Sequence, residues 1–229
     1  MSHTLLREAN RRGIGSLIQA ARAGWHTVPN DLNNGYATLE GLTADYANAP
    51  QQSTADRAAA LTAELVTTMS GGAADDIIND HIKPALARFV ADFQTDATAA
   101  GSYAALPNPI PPLDAEPDSV QRAYRRLLKA NTGWQSIRTS WRILRGRSLA
   151  PTRDPAGLAS INAEVSNALE LRPIWNPSSP VSSLATPWRH GVFHVRLNWL
   201  LDNGAQVWAP TAAEQTIAWR DSNPELIDR

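Results

Sequence analysis

The sequence predicts a mainly α-helical fold: a helical N-terminal half, two basic amphipathic helices, a proline-rich extended arm and a small C-terminal β-hairpin plus helix. Three observations lead there. Apolar residues recur at intervals of three and four through most of the first 145 positions. Residues 106–117, LPNPIPPLDAEP, hold five prolines in twelve positions. In Val192–Leu201, VFHVRLNWLL, the interval changes to two.

The start, MSHTLLREANRRGIGSLIQAARAG, places Leu5, Leu6, Ala9, Leu17, Ile18 and Ala21 on one side of an amphipathic helix. Its arginines against the single acid Glu8 also resemble a transit peptide, but it lacks the continuous apolar core of a signal peptide. A weak helix follows over Tyr36–Asn48, ending before Ala49-Pro50 because proline restricts the residue ahead of it. Ser53 or Thr54 can cap a helix over Ala55–Met69, stopped by Ser70-Gly71-Gly72. From Ala73 to about Thr98, Ile77, Ile78, Ile82, Leu86, Phe89, Val90 and Phe93 form a core-facing stripe. Pro84 interrupts it, which predicts a break or kink near His81–Lys83.

Past the proline linker, Asp118 or Ser119 caps a helix carrying Val120, Tyr124 and Leu127 on one side and Arg122, Arg126 and Lys129 on the other. Asn131-Thr132-Gly133 reads as its C-cap. A second helix then sets Trp134, Ile137, Trp141 and Leu144 inward and Arg138, Arg142 and Arg145 outward. Residues 148–190 form an arm rich in proline with one helix near 156–171. Alternation predicts a strand over 192–201, Asp202-Asn203-Gly204 a hairpin turn and 205–209 the return strand. Thr211 and Glu214 make a capping box for a last helix through Trp219. The expected domains are 1–105 (helical, acidic), 106–117 (linker), 118–147 (basic helical pair), 148–190 (arm) and 191–229 (hairpin plus helix).

The formal net charge is -1, yet the charges are segregated. Residues 1–30 carry +3, residues 31–118 carry -10 and residues 151–229 carry -2. Residues 119–150 hold eight bases (Arg122, Arg125, Arg126, Lys129, Arg138, Arg142, Arg145, Arg147) and no acid. Like charges on successive helical turns repel, so something outside these helices must offset them. The acidic 31–118 segment, an acidic patch on another subunit, or nucleic acid could do so. Arginine interleaved with Tyr124, Trp134 and Trp141 suits phosphate contact plus stacking, although helical spacing assigns those aromatics to the apolar stripe.

The absence of cysteine excludes disulfides, thiolate catalysis, iron–sulfur clusters and cysteine-ligated zinc. No apolar run approaches the roughly 18 residues of a membrane span. Asp75, Asp76 and Asp80 share one helical face, a spacing similar to the aspartate-rich motifs with which helical isoprenoid enzymes hold magnesium and diphosphate. That resemblance covers six residues, without a second acidic motif; an acidic first turn complementing the helix dipole accounts for the same residues. His190 and His194 are spaced HxxxH but lack the glutamate of a zinc protease and a third ligand. There is no GxSxG elbow, Walker loop or dinucleotide fingerprint.

Seven of the eight tryptophans follow residue 130, and Trp175, Trp188, Trp208 and Trp219 sit in or beside proline-rich loops, where tryptophan suits a partner surface. Arginine outnumbers lysine nineteen to two, a bias expected of a GC-rich bacterial or phage genome. Together these features predict a non-enzymatic structural or assembly protein without a cofactor, in the cytoplasm or in a virion. It would pack against protein subunits through its arm and exposed tryptophans; a phage capsid or head–tail accessory would fit this plan. A nucleic-acid-binding module using residues 119–150 is the first alternative, and a metal-dependent helical enzyme using Asp75, Asp76 and Asp80 the second.

Overall fold

Helices dominate the computed structural model, which describes residues 6–7, 9–10, 12–107, 116–146, 164–167 and 192–222. They are α1 (Ile14–Arg22), α2 (Asn30–Asn48), α3 (Gln52–Thr68), α4 (Gly72–Ile77), a π turn (Ile78–Ile82), α5 (Lys83–Ala100), a 3-10 turn (Gly101–Ala105), α6 (Asp118–Leu144), α7 (Phe193–Asp202) and α8 (Ala212–Ser222). The chain divides into two compact units that do not follow its order. Unit 1 takes Met1–Ala85, Ser136–Ala150 and Pro210–Arg229; unit 2 takes Leu86–Gln135 and Pro151–Ala209.

In unit 1, α2 packs on α3 across a short connection at Ala49-Pro50-Gln51. The core collects Leu17 and Ile18 from α1, Leu32 and Leu39 from α2, Leu65 from α3, Ile78 and Ile82 from the π turn and Trp141 from α6. Of the apolar side expected for the N-terminal helix, Ala9, Leu17 and Ile18 are buried, while Leu5 lies outside the described residues. That helix is interrupted at Gly13, whose φ of 86° is left-handed. A β-carbon there would lie 2.8 Å from both Cγ atoms of Ile143. Left-handed backbone costs a non-glycine residue about 1–2 kcal/mol, and the clash adds overpacking. Gly13→Ala is therefore expected to cost about 2–3 kcal/mol, read as a lower urea midpoint at unchanged m-value.

Pro84 acts through the turn before it. Its ring would strike the Asp80 carbonyl of a regular helix, and instead residues 78–82 widen into a π turn, with the Lys83 N–H donating to Ile78 five residues back. The interruption expected near His81–Lys83 thus takes the form of a π turn within a continuous run.

The basic helical pair is one helix. Asn131-Thr132-Gly133 lies inside α6, and Gly133 is not among the glycines with positive φ. The buried stripe Ala123, Tyr124, Leu127, Trp134, Ile137, Trp141 and Leu144 crosses that tripeptide without losing phase. A mid-helix glycine costs about 1 kcal/mol, less than burying one of those aromatic rings contributes.

The C-terminal hairpin is not present among the described residues. Residues 193–202 are helical, because Phe193, Leu197, Leu200 and Leu201 satisfy a helical spacing as well as an alternating one. His194, which alternation puts on the solvent side, is buried with Leu197 and Leu200. Asp202-Asn203-Gly204 ends α7 in a Schellman motif: Gly204 N–H donates to Leu201, Ala205 N–H donates to Leu200, and Gly204 has φ 82°. The extended segment after it pairs elsewhere, with Val207 bridging Val165 antiparallel, Ser166 N–H donating to Gln206 and Trp208 N–H donating to Glu164. The last helix opens with its capping box as read: Thr211 N–H donates to Glu214 Oε2 at 2.8 Å, and Glu214 N–H to Thr211 Oγ1 at 3.3 Å.

Candidate partner-binding face

Within unit 2, α6 has two faces set by its sequence period. Ala123, Tyr124, Leu127 and Trp134 turn inward, Trp134 lying 5.9 Å from Phe89 and 5.5 Å from Phe193 between ring centroids. Arg122, Arg125, Arg126 and Lys129 are exposed. Arg126 is neutralised inside the unit: its Nε donates to both Asp96 oxygens at 2.9 Å, and this bond, with the carboxylate's charge, raises the guanidinium pKa further. Among the described residues, Arg122 donates only to the carbonyl of Asp118 and Arg125 only to Gln121 Oε1, each at 3.2 Å. Lys129 has no hydrogen bond or ion pair among the described residues.

The result is a row, Arg122–Arg125–Lys129, at helical spacings of three and four, with no acidic mate among the described residues. Leu128 stands beside it, 47% exposed. A charged row flanking an exposed leucine can take an anionic surface that also presents an apolar spot.

The remaining basic residues of the block are placed differently. Arg138, expected to face outward, is fully buried, with its guanidinium 4.3 Å from the ring centroid of Trp141. Position 138 is four residues after Trp134 and three before Trp141, so it lies on the apolar stripe itself. Arg145 is half-buried and donates to Gln215 Oε1 at 2.6 Å, whereas Arg142 is exposed. Arg147 lies outside the described residues.

Among the tryptophans, Trp134 and Trp141 are core; Trp141 Nε1–H donates to the Pro210 carbonyl at 2.9 Å. Trp208 is half-buried in the segment paired to Glu164. Trp175, Trp188 and the side chain of Trp219 lie outside the described residues, as does nearly all of the 148–190 arm.

Asp76 and Asp80 are exposed and Asp75 is half-buried. The π turn begins between Asp76 and Asp80, so the regular helical face assumed for the cluster is altered. No three His, Asp or Glu side chains among the described residues lie close enough to hold a metal ion. His190 is outside the described residues, so its spacing to His194 has no geometry. His194 is 2% exposed and sits edge-on to Tyr124. Its Nε2–H donates to the Leu106 carbonyl at 3.0 Å, and burial pushes its pKa down against that bond.

Sequence reasoning did not single out His26 and Ser140, a buried pair 114 residues apart whose Nε2 and Oγ are 2.8 Å from one another. No local signal marks such a pair, because each residue is ordinary in its own segment. In unit 2 an open cleft of about 300 Å³ is lined by Gln94, Thr98, Asn198 and Asp202 among small and apolar residues. Its polar groups serve the helices beside it: Thr98 donates to the Gln94 carbonyl and Asn198 to Asp202.

Among the described residues no helix is long and apolar enough to cross a membrane. No protein-family model, curated protein or solved structure matches this chain.

Proposed function

We propose that this chain is a non-enzymatic assembly protein that packs into a larger complex, docking an acidic protein surface on the Arg122–Arg125–Lys129 row with Leu128 at its edge. The observation that carries the reading is that these three exposed cations lack an acidic mate among the described residues, while Arg126, one turn away, has one. Three of the described side chains capable of acid–base or nucleophilic chemistry support it from the other direction. His26, His194 and Ser140 are each buried and bonded within the core, where a substrate would have to displace structural contacts. A phage capsid or head–tail component is one setting for such a subunit.

Nucleic acid is the second reading, favoured by the same arginines. It is weaker because Tyr124, Trp134 and Trp141 are buried in the core and offer no face for base stacking. Three phosphate contacts would give a salt slope of roughly -2.7 on duplex DNA, modest for a dedicated binder.

The test is the solution mass of nuclease-treated protein, by light scattering behind size exclusion, at low and high salt. Wild type is expected to form a defined assembly that weakens in high salt, and the triple variant Arg122→Ala, Arg125→Ala, Lys129→Ala is expected to stay monomeric. A monomer at both salts would overturn self-assembly. DNA affinity lost in the triple variant would transfer the row to nucleic acid.

A further inference from the structure

The loop of residues 23–29, between α1 and α2, is held within unit 1 by a chain of polar groups. His26 is 2% exposed and has both ring nitrogens engaged. Nδ1 lies 2.8 Å from the Thr27 carbonyl, which can only accept, so Nδ1 carries a proton in either charge state. Nε2 lies 2.8 Å from Ser140 Oγ on α6, and that oxygen is also 3.0 Å from the Ser136 carbonyl. A hydroxyl has one proton to give. With the ring neutral, Ser140 donates to Nε2; with the ring charged, Nε2–H donates to Oγ and the hydroxyl turns its proton to Ser136. Either state keeps the imidazole bonded without moving a heavy atom.

Thr27 faces a second histidine. Its Oγ1 lies 2.7 Å from Nδ1 of His81 on the π turn, and His81 is half-buried while Thr27 is exposed. One residue therefore holds His26 on its carbonyl and His81 on its hydroxyl.

We propose that His26, Thr27, His81 and Ser140 form an acid-sensitive clasp, which fastens residues 23–29 to the π turn and α6 while the His26 imidazole is neutral and lets that loop go as this buried ring takes on charge. The Ser140 hydroxyl can turn to accept from the charged ring, so what opposes the charge is the burial of His26 in the core.

The charged groups on the surrounding elements do not bond to the buried ring. Arg22 at the end of α1 is held by Glu40, and Lys83 after the π turn by Glu214. Asp80 and Arg142 are exposed, and Arg138 lies over Trp141. His81 is the titratable neighbour that acts on His26. Burial pushes the His26 pKa below the ordinary histidine range, the bond to Thr27 opposes this, and charge on His81 adds to the lowering. A folded-state value below the unfolded one, about 6.5, means that the clasp's contribution is whole above that pH and is lost as pH falls through the folded value. The clasp goes beyond the assembly reading and stands whether or not the cationic row binds a partner.

The test uses the full chain. Amide exchange of residues 23–29, corrected for intrinsic rates, is followed from pH 7.5 to about pH 5, with histidine Cε1–H shifts recorded alongside. Local amides are read because His194 titrates in the other unit. The loop is expected to open at least about tenfold more at the acid end of that range than at neutral pH, in step with the charging of His26. His81→Asn, which takes away the charge that adds to the lowering at His26, should reduce the acid opening, and His26→Gln should remove it. Loop exchange that does not respond to pH, or an acid opening that His81→Asn leaves undiminished, overturns the proposal; His81→Asn decides it if His26→Gln does not fold.

Discussion

Trp141→Ala is expected to remove about 3–5 kcal/mol of stability, a large part of the roughly 5–15 kcal/mol that a domain possesses. The indole is fully buried, its N–H donates to the Pro210 carbonyl, and the Arg138 guanidinium lies over its face. Truncation opens a cavity, leaves a buried carbonyl without its donor and strips a buried cation of its aromatic neighbour, and these losses act in the same direction. Trp141→Phe separates them. The ring volume is largely kept while the donor is lost, so a cost of about 1–3 kcal/mol is expected. Urea unfolding followed by circular dichroism measures both. A loss under about 1 kcal/mol for the alanine variant would mean that α6 does not pack on Pro210 as described.

Trp134→Ala is expected to cost a similar amount, about 3–5 kcal/mol, through unit 2. Trp134 is 1% exposed and tilts against Phe89 from α5 and Phe193 from α7, while Phe93 meets Phe193 edge-on at 6.4 Å. Aromatic pairs of this kind contribute about 0.5–1.5 kcal/mol beyond the area they bury. Removing the central ring loses two of them together with the burial term. Near-UV circular dichroism should lose much of its aromatic signal, and exchange of the α5 and α7 amides should accelerate. Trp134→Phe, which keeps a ring in the cluster, should retain both.

How much of this was legible in the sequence depended on the range of the controlling interaction. The capping box at Thr211 and Glu214 was readable because all its atoms lie within four residues. The stripe over 77–93 was readable because its period admits one interpretation. Residues 193–202 were not, since Phe193, Leu197 and Leu201 fit two periods at once. The deciding factor was the burial of His194 against Tyr124 and Leu106, residues 70 and 88 positions away. Asp-Asn-Gly misled for a related reason: its left-handed glycine serves a hairpin and a helix end equally. Asn131-Thr132-Gly133 has the composition of a stop, but the aromatic stripe on both sides outweighs it. In the candidate face, the exposure of Arg122, Arg126 and Lys129 followed from periodicity, and that of Arg125 did not. The pairing of Arg126 with Asp96 and the burial of Arg138 required the partner elements to be placed.

The way unit 1 is assembled bears on its synthesis. Its N-terminal helices and the 136–150 segment are completed by the segment that begins at Pro210, with Pro210 accepting from Trp141, Glu214 binding Lys83 and Gln215 accepting from Arg145. A ribosome adds roughly 5–20 residues per second from the N-terminal side, so α1–α3 emerge early and wait for Pro210 and the residues after it before their unit can close. Contacts of such long sequence separation slow folding, because loop-closure entropy is lost before they form. Until then, the apolar faces that become the core of unit 1 are exposed in the nascent chain. A chain cut after Arg147 would lack Pro210, Glu214 and Gln215, to which Trp141, Lys83 and Arg145 donate, so the N-terminal half is expected to need the segment from Pro210 onward to reach the native state.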